Sequence, residues 1–226
     1  MQRKNFSERF LDVFLFFVFI SMAISLLMTL RDALVGPVSG RGSALFLALE
    51  IAIGLVIVLF PRFLSVKAKV YLPPILYLFF ALFIYGSVYL GTAYHFYSLV
   101  PYWDKGLHLL SGALLGGFAF SAFGALVPDE VTEKISPFFI SMYSVAFAVF
   151  CGVLWEIYEF TCDSFGMNLQ RYMSNGHMLI GRAALMDTMG DLIADLLGAL
   201  LFAIFAYIQL KKDNTWLEKF FFKKND

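Results

Sequence analysis

The sequence predicts an all-α polytopic membrane bundle of six transmembrane helices with both termini on the cytoplasmic side. Two observations carry this: apolar runs of membrane length recur six times, and basic residues gather on one side of the spans they define. The 226-residue chain is 60% hydrophobic and 15% charged, whereas soluble domains are about 25% charged. A helix crosses the hydrocarbon in about 20 residues, and within it every backbone N–H and C=O needs an internal partner. The runs lack the alternation over about 10 residues that marks barrel strands.

Spans are expected at about 11–30, 44–60, 71–91, 106–127, 138–160 and 188–210, in one integral membrane domain covering 1–226. The first carries Asp12 only at its edge. Its end, Leu26–Asp32, offers no small-residue cleavage site, so an uncleaved helix is expected rather than a signal peptide. Gly36-Pro37 and Ser39–Gly42 make the first turn, Glu50 is the one charge inside span two, and Pro61 begins the next turn. Pro73-Pro74 opens span three, where a missing N–H does least harm. Tyr85, Tyr89, Tyr94, His95 and Tyr97 at its far end read as an interfacial aromatic belt. Pro101 precedes span four, and Pro128 and Pro137 bracket an acidic loop, Asp129–Glu133.

The connection Thr161–Asp187 holds Asn168, Asn175, Gly176 and Gly181 and is expected along the membrane surface. The tail from Lys211 mixes lysines with Trp216, Phe220, Phe221 and Phe222, which suits either the inner headgroup layer or a solvated tail. Gly112, Gly116 and Gly117 in span four, and Gly190, Ala194 and Gly198 in span six, form small-residue faces expected to pack helix on helix. Cys151 and Cys162 lie on one helix, about 16 Å apart at its rise, too far for a disulfide.

Topology follows from basic residues. Arg3, Lys4, Arg9, Arg62, Lys67, Lys69, Lys134, Lys211, Lys212, Lys219, Lys223 and Lys224 fall on one side; Arg31, Arg41, Lys105, Arg171 and Arg182 fall on the other. The positive-inside rule places the first set, and both termini, in the cytoplasm. The formal net charge is zero. Membrane lipid is the expected partner, nucleic acid is not expected, and no protein partner is indicated.

With that topology, ionisable residues converge on the outer ends of the last three spans. Asp104 and His108 are four apart at the start of span four; Glu156, Glu159 and Asp163 share a face at the end of span five. Asp187, Asp191 and Asp195 recur every four residues at the start of span six. A carboxylate at a helix centre is disfavoured by about 2.5–3.5 kcal/mol on insertion scales. Asp191, Asp195 and Glu156 should therefore be paired, metal-bound, protonated or facing water. Carboxylates with one imidazole suit Mg²⁺, Mn²⁺ or Zn²⁺, making His108, Glu156, Asp187, Asp191 and Asp195 candidate ligands. Asp104, His108, Glu156, Glu159 and Asp191 are candidate catalytic groups, and Lys105 and Arg182 candidate cations for a bound phosphate. Structural readings stand beside these. His108 suits a hydrogen bond to Asp104 or to a neighbouring helix, Asp104 and Asp187 suit helix N-caps, Asp104-Lys105 suits an interfacial ion pair, and Glu159 and Asp163 suit wet helix ends.

Trp103-Asp104-Lys105-x-x-His108 before a glycine-rich helix, Glu156-x-x-Glu159, and Asp187-x-x-x-Asp191 running into Leu197–Leu201 resemble the YjdF-like family of bacterial inner-membrane proteins. Asp191–Leu201 is more remotely similar to the closing helix of VanZ-like proteins, which usually carry Asn at the position of Asp195. The likeness covers about 103–202. It implies a multi-pass protein of the bacterial cytoplasmic membrane, with uncharacterised molecular function and a cell-envelope association.

No nucleophile elbow, P-loop or dinucleotide fingerprint occurs. Three functions remain open: a metal-dependent enzyme acting on a lipid or lipid-linked phosphate, a small ion- or proton-coupled transporter, and a structural or regulatory protein locked by a buried polar network.

Overall fold

Six long apolar helices form where the apolar runs fall. The computed structural model describes residues 6–68, 70–128, 131, 134–174, 176–213, 216, 223 and 224. The helices are α1 (Phe6–Val35), α2 (Val38–Ala68), α3 (Pro74–Ile84) continued by a π-helix (Tyr85–Ala93), the short α4 (Phe96–Leu99), α5 (Trp103–Leu126), α6 (Pro137–Asp163) and α7 (Arg182–Lys212). Most overrun the expected spans. Thirty-one residues of α2 or α7 reach about 46 Å, beyond a hydrocarbon core of about 30 Å. Pro61 does not end α2, which continues to Ala68.

Local chemistry sets other boundaries. Pro73 precedes the first helical residue Pro74, and Pro137 follows the N-cap Ser136, whose Oγ accepts the Phe139 N–H at 3.1 Å. Two small antiparallel pairings join β1 (Val70–Tyr71) to β4 (Lys223–Lys224), and β2 (Met173–Ser174) to β3 (His177–Met178). Phe220, Phe221 and Phe222 lie outside the described residues, as do Asp129, Glu130, Thr132 and Glu133 of the acidic loop.

The chain divides into two compact units, Met1–Trp103 with Phe222–Asp226, and Asp104–Phe221. In the first, Val18, Met22, Ile51, Val58 and Ala81 are buried between the helices. Arg62 reaches Asp12 at 3.0 Å, beside a cavity of about 160 Å³ that both residues line. The expected aromatic belt is in part internal. Ser21 donates to Tyr85 at 3.3 Å, Ser25 donates to Tyr89 at 3.2 Å, and Tyr89 donates to the Ser21 carbonyl. A phenol facing lipid would lack such partners; Tyr94 and His95, nearer the helix end, remain exposed. Thr92 Oγ1 meets the carbonyl of Ser87 five residues earlier, consistent with the wider π turn.

In the second unit, Phe120 meets Phe202 edge-on, 5.4 Å between centroids, and Ser144 donates to the Gly116 carbonyl at 3.0 Å. A Cβ on Gly112 would collide with the Asp195 carbonyl, and one on Gly198 with that of Leu109, so α5 and α7 touch backbone to backbone. Large apolar side chains such as Phe16, Leu27, Phe150 and Ile204 are more than half exposed. That is the arrangement lipid permits and water does not.

Candidate functional site

Three helices of the second unit deliver polar side chains to one end: the start of α5, the end of α6 and the start of α7. Asp104 is the second residue of α5, with Lys105, His108 and Ser111 following on the same side. On α7, Asp187, Asp191 and Asp195 recur every fourth residue, close enough to one turn to stay in register. Neither Asp104 nor Asp187 is an N-cap: α7 begins at Arg182 after Gly181, which makes no side-chain cap.

The ammonium of Lys105 donates to Asp187 Oδ1 at 2.6 Å, to Asp191 Oδ2 at 2.8 Å and to the Asp187 carbonyl at 3.2 Å, with Asp104 Oδ2 at 3.6 Å. Three N–H groups meet three acceptors, so the ammonium is saturated. Its stem runs over Gly190, where a Cβ would sit 2.9 Å from Lys105 Cε. Gly190, expected as a helix-packing position, makes room for this side chain.

Asp195 is 2% exposed, accepts Ser111 Oγ–H at 2.7 Å and lies 3.2 Å from His108 Nδ1. An N–H at Nδ1 directed at the carboxylate leaves the lone pair on Nε2, the outer-shell pattern of metal-bound histidines. His108 Nε2 lies 3.6 Å from Asp191 Oδ1. Asp191 is 1% exposed, and among the described residues its Oδ1 has no hydrogen-bond partner. One ligand atom each from Asp104, His108 and Asp191 fall within 4.8 Å of one another. That spacing admits a cation with metal–ligand distances of about 2.1 Å.

Glu156 is buried at the end of α6, and its Oε1 also lacks a partner among the described residues; Gln170 Nε2 donates to its Oε2 at 3.4 Å. Glu159 is half-buried and accepts Trp155 Nε1–H at 2.9 Å. Arg182 is exposed in the first turn of α7 and takes no part in the described ion pairs of the cluster. Of the candidate ligands, then, His108 and Asp191 share the ligand-distance group with Asp104. Asp195 stands behind His108; Asp187, bound by Lys105 at Oδ1 and without a hydrogen-bond partner at Oδ2 among the described residues, lies outside that group, as does Glu156.

Asp163 and residues of the connection after it complete the end of the unit. Asp163 is buried, not a wet helix end: its carboxylate accepts the N–H groups of Leu169 and Gln170. Arg171, on the connection it pins, lies 3.4 Å from Asp104 and 3.9 Å from Asp187. Ser111 was discoverable, lying three residues after His108 on the same helix face. Arg171 was not, because a loop residue has no periodicity to betray its direction.

Membrane-length helices enclosing a buried carboxylate–histidine–lysine cluster define a polytopic membrane protein. The chain belongs to the family described as Predicted membrane protein (DUF2238), whose model matches residues 13–212. It is also similar to an uncharacterized protein of Thermotoga maritima, 33% identical over 120 residues, which are 52% of this chain and 54% of that protein. The chain therefore spans about half the length of this curated relative. No solved structure matches.

Proposed function

We propose that Asp104, His108 and Asp191 hold a divalent cation, Mg²⁺, Mn²⁺ or Zn²⁺, in a site that acts on a lipid or lipid-linked phosphate of the cell envelope. The observation carrying this reading is the unpartnered Oδ1 of Asp191, buried and facing His108 Nε2 within the three-residue group. An unmade hydrogen bond in hydrocarbon is costly, and a cation is the partner the two acceptor atoms lack. Oxygen, oxygen and imidazole nitrogen suit those ions, and three protein ligands leave positions open for a phosphate oxygen or water. A bound cation there would polarise the phosphoryl group and favour ionised water. The chain's own residues do the rest: Asp195 orients His108, Lys105 fixes Asp191 through its other oxygen, and Glu156 and Glu159 are the carboxyls able to carry protons.

The basic-residue bias supports an arrangement with both termini in the cytoplasm and the cluster in the outer leaflet. The YjdF-like resemblance supports the bacterial cytoplasmic membrane. The salt-bridged Lys105 favours a second reading, in which the cluster is a polar lock holding α5 to α7.

Thermal unfolding with and without EDTA, in wild type and Asp191→Asn, separates them. Cation at 100 times its Kd stabilises a native protein by about 2.7 kcal/mol, roughly 5–10 °C for a chain of this size. Chelator should lower the wild-type Tm by that order and leave Asp191→Asn unmoved. A wild type indifferent to both chelator and added Mn²⁺ excludes the metal reading and leaves the lock.

A further inference from the structure

We propose that Arg171 is the residue that recognises the phosphate of the ligand, a specificity determinant on the connection between α6 and α7. The inference rests on the phosphate-acting reading above and names the group that confers it.

Three cations lie at or near this end of the unit, and their environments differ. Lys105 has every donor committed to Asp187 and Asp191. Arg182 is exposed and stands outside the described ion pairs of the cluster. Arg171 is at the cluster, in ion-pair range of Asp104 and Asp187 but not closely bonded to either. Its separations from Asp104 and Asp187, 3.4 and 3.9 Å, exceed the 2.7–2.9 Å of charge-assisted hydrogen bonds. Among the described residues its guanidinium donates no hydrogen bond. The side chain is 41% exposed, so a ligand can reach it. A guanidinium offers a planar fork that matches two phosphate oxygens, which an ammonium does not.

The backbone is built to hold it there. Arg171 has φ +49°, a left-handed conformation costly for a residue with a Cβ. It is kept by neighbours on both sides. Asp163 grips the Leu169 and Gln170 amides, and Gln170 reaches Glu156. The Asn168 side chain accepts the Met173 N–H at 2.8 Å and donates to the Met173 carbonyl at 3.3 Å. Ordinary neutralisation of Asp104 and Asp187 requires no such backbone; a long side chain reaches them from many φ values.

Charge explains how an anion is tolerated beside aspartates. Asp104, Asp187 and Asp191 face Lys105, Asp195 faces His108, and Arg171 faces Asp104 and Asp187, while Glu156 and Glu159 stand at the same end, so carboxylates outnumber cations. A divalent cation offsets part of the excess, so phosphate and metal should each tighten the other's binding, by the same factor in both directions.

The test uses the full chain in nanodiscs, with Mn²⁺, inorganic phosphate and dihexanoyl phosphatidate as probes and calorimetry as readout. Arg171→Gln should weaken the phosphate probes at least tenfold at saturating Mn²⁺, while Mn²⁺ measured alone stays within about threefold of wild type. Arg171→Lys, which keeps the charge and loses the fork, should fall between them. Tighter binding of phosphatidate assigns the site to a lipid headgroup and tighter binding of inorganic phosphate to a free anion; both support the role of Arg171. Wild type binding neither probe overturns it, as does a folded Arg171→Gln within twofold of wild type. If Arg171→Gln does not fold, Arg171→Lys within twofold of wild type overturns it equally. The two readings fail separately. Phosphate binding that survives Arg171→Gln refutes the role of Arg171 alone; Arg171-dependent phosphate binding without Mn²⁺ binding refutes the metal site alone.

Discussion

Gly152→Ala asks whether the Asp195 carboxylate is held in place. Gly152 lies inside α6, and in a plain helix interior alanine is more favourable than glycine by about 0.8–1.0 kcal/mol. A Cβ at 152, however, would sit 2.5 Å from Asp195 Oδ2 and 3.1 Å from its Cγ. The carboxylate must then rotate away from Ser111 Oγ at 2.7 Å, from His108 Nδ1 at 3.2 Å, or from both. Hydrogen bonds to charged groups contribute about 1.5–3 kcal/mol each. After the helix gain is subtracted, losing one leaves a net cost of about 0.5–2 kcal/mol, and losing both about 2–5 kcal/mol. A central value of about 2 kcal/mol lowers Tm by roughly 4–8 °C in a chain of this size. Intrinsic fluorescence during heating of the detergent-solubilised protein reads this, with a second measurement in an Asp195→Ala background. With the carboxylate gone only the Cβ of residue 195 stays close, at 3.3 Å, so Gly152→Ala should cost much less there. The difference between the two backgrounds is the diagnostic. Equal effects in both backgrounds, or stabilisation in the first, would show that Asp195 is not confined by Gly152.

Two further outcomes follow from the same geometry, beside those given for Asp191 and Arg171. Gly198→Ala places a methyl against the Leu109 carbonyl and the Ala113 amide, backbone that cannot swing aside, so stability should fall by about 3 kcal/mol or more and the purified protein should aggregate. Gly106→Ala, with open space at its Cβ, should stay within about 0.5 kcal/mol of wild type or gain stability, a control for the Gly198 site read by the same melting curve. For topology, an impermeant thiol reagent on whole cells should label a cysteine placed at Ser174 and miss one at Asn225; the reverse pattern refutes the proposed orientation.

What the sequence by itself determined are properties that a local window carries. Whether a stretch such as Tyr71–Gly91 suits hydrocarbon is decided by its own side chains and backbone, because the bilayer is an external solvent common to every span. The spacing of Asp187, Asp191 and Asp195 placed three carboxylates near one helix face for the same reason: helical periodicity is internal to the segment. The close approach of Gly112 and Gly198 was legible too, since small residues four apart are useful only where another backbone comes near.

Tertiary structure decided what those faces meet. Lys105 pairs with residues 82 and 86 positions away, and the room for its stem comes from Gly190 on the other helix. Asp195 depends on a glycine of α6 for its space and on two residues of α5 for its bonds. Tyr85 and Tyr89 turn from the expected lipid interface toward Ser21 and Ser25 because the hydroxyl partners lie on α1. Asp163 and Arg171 take their roles from a connection whose path no periodicity describes. The physical reason is common to all of them. A contact between helices depends on how each is rotated about its axis and how far it slides past its neighbour, and those two quantities are set by the packing of every residue along both helices together, not by any segment read alone.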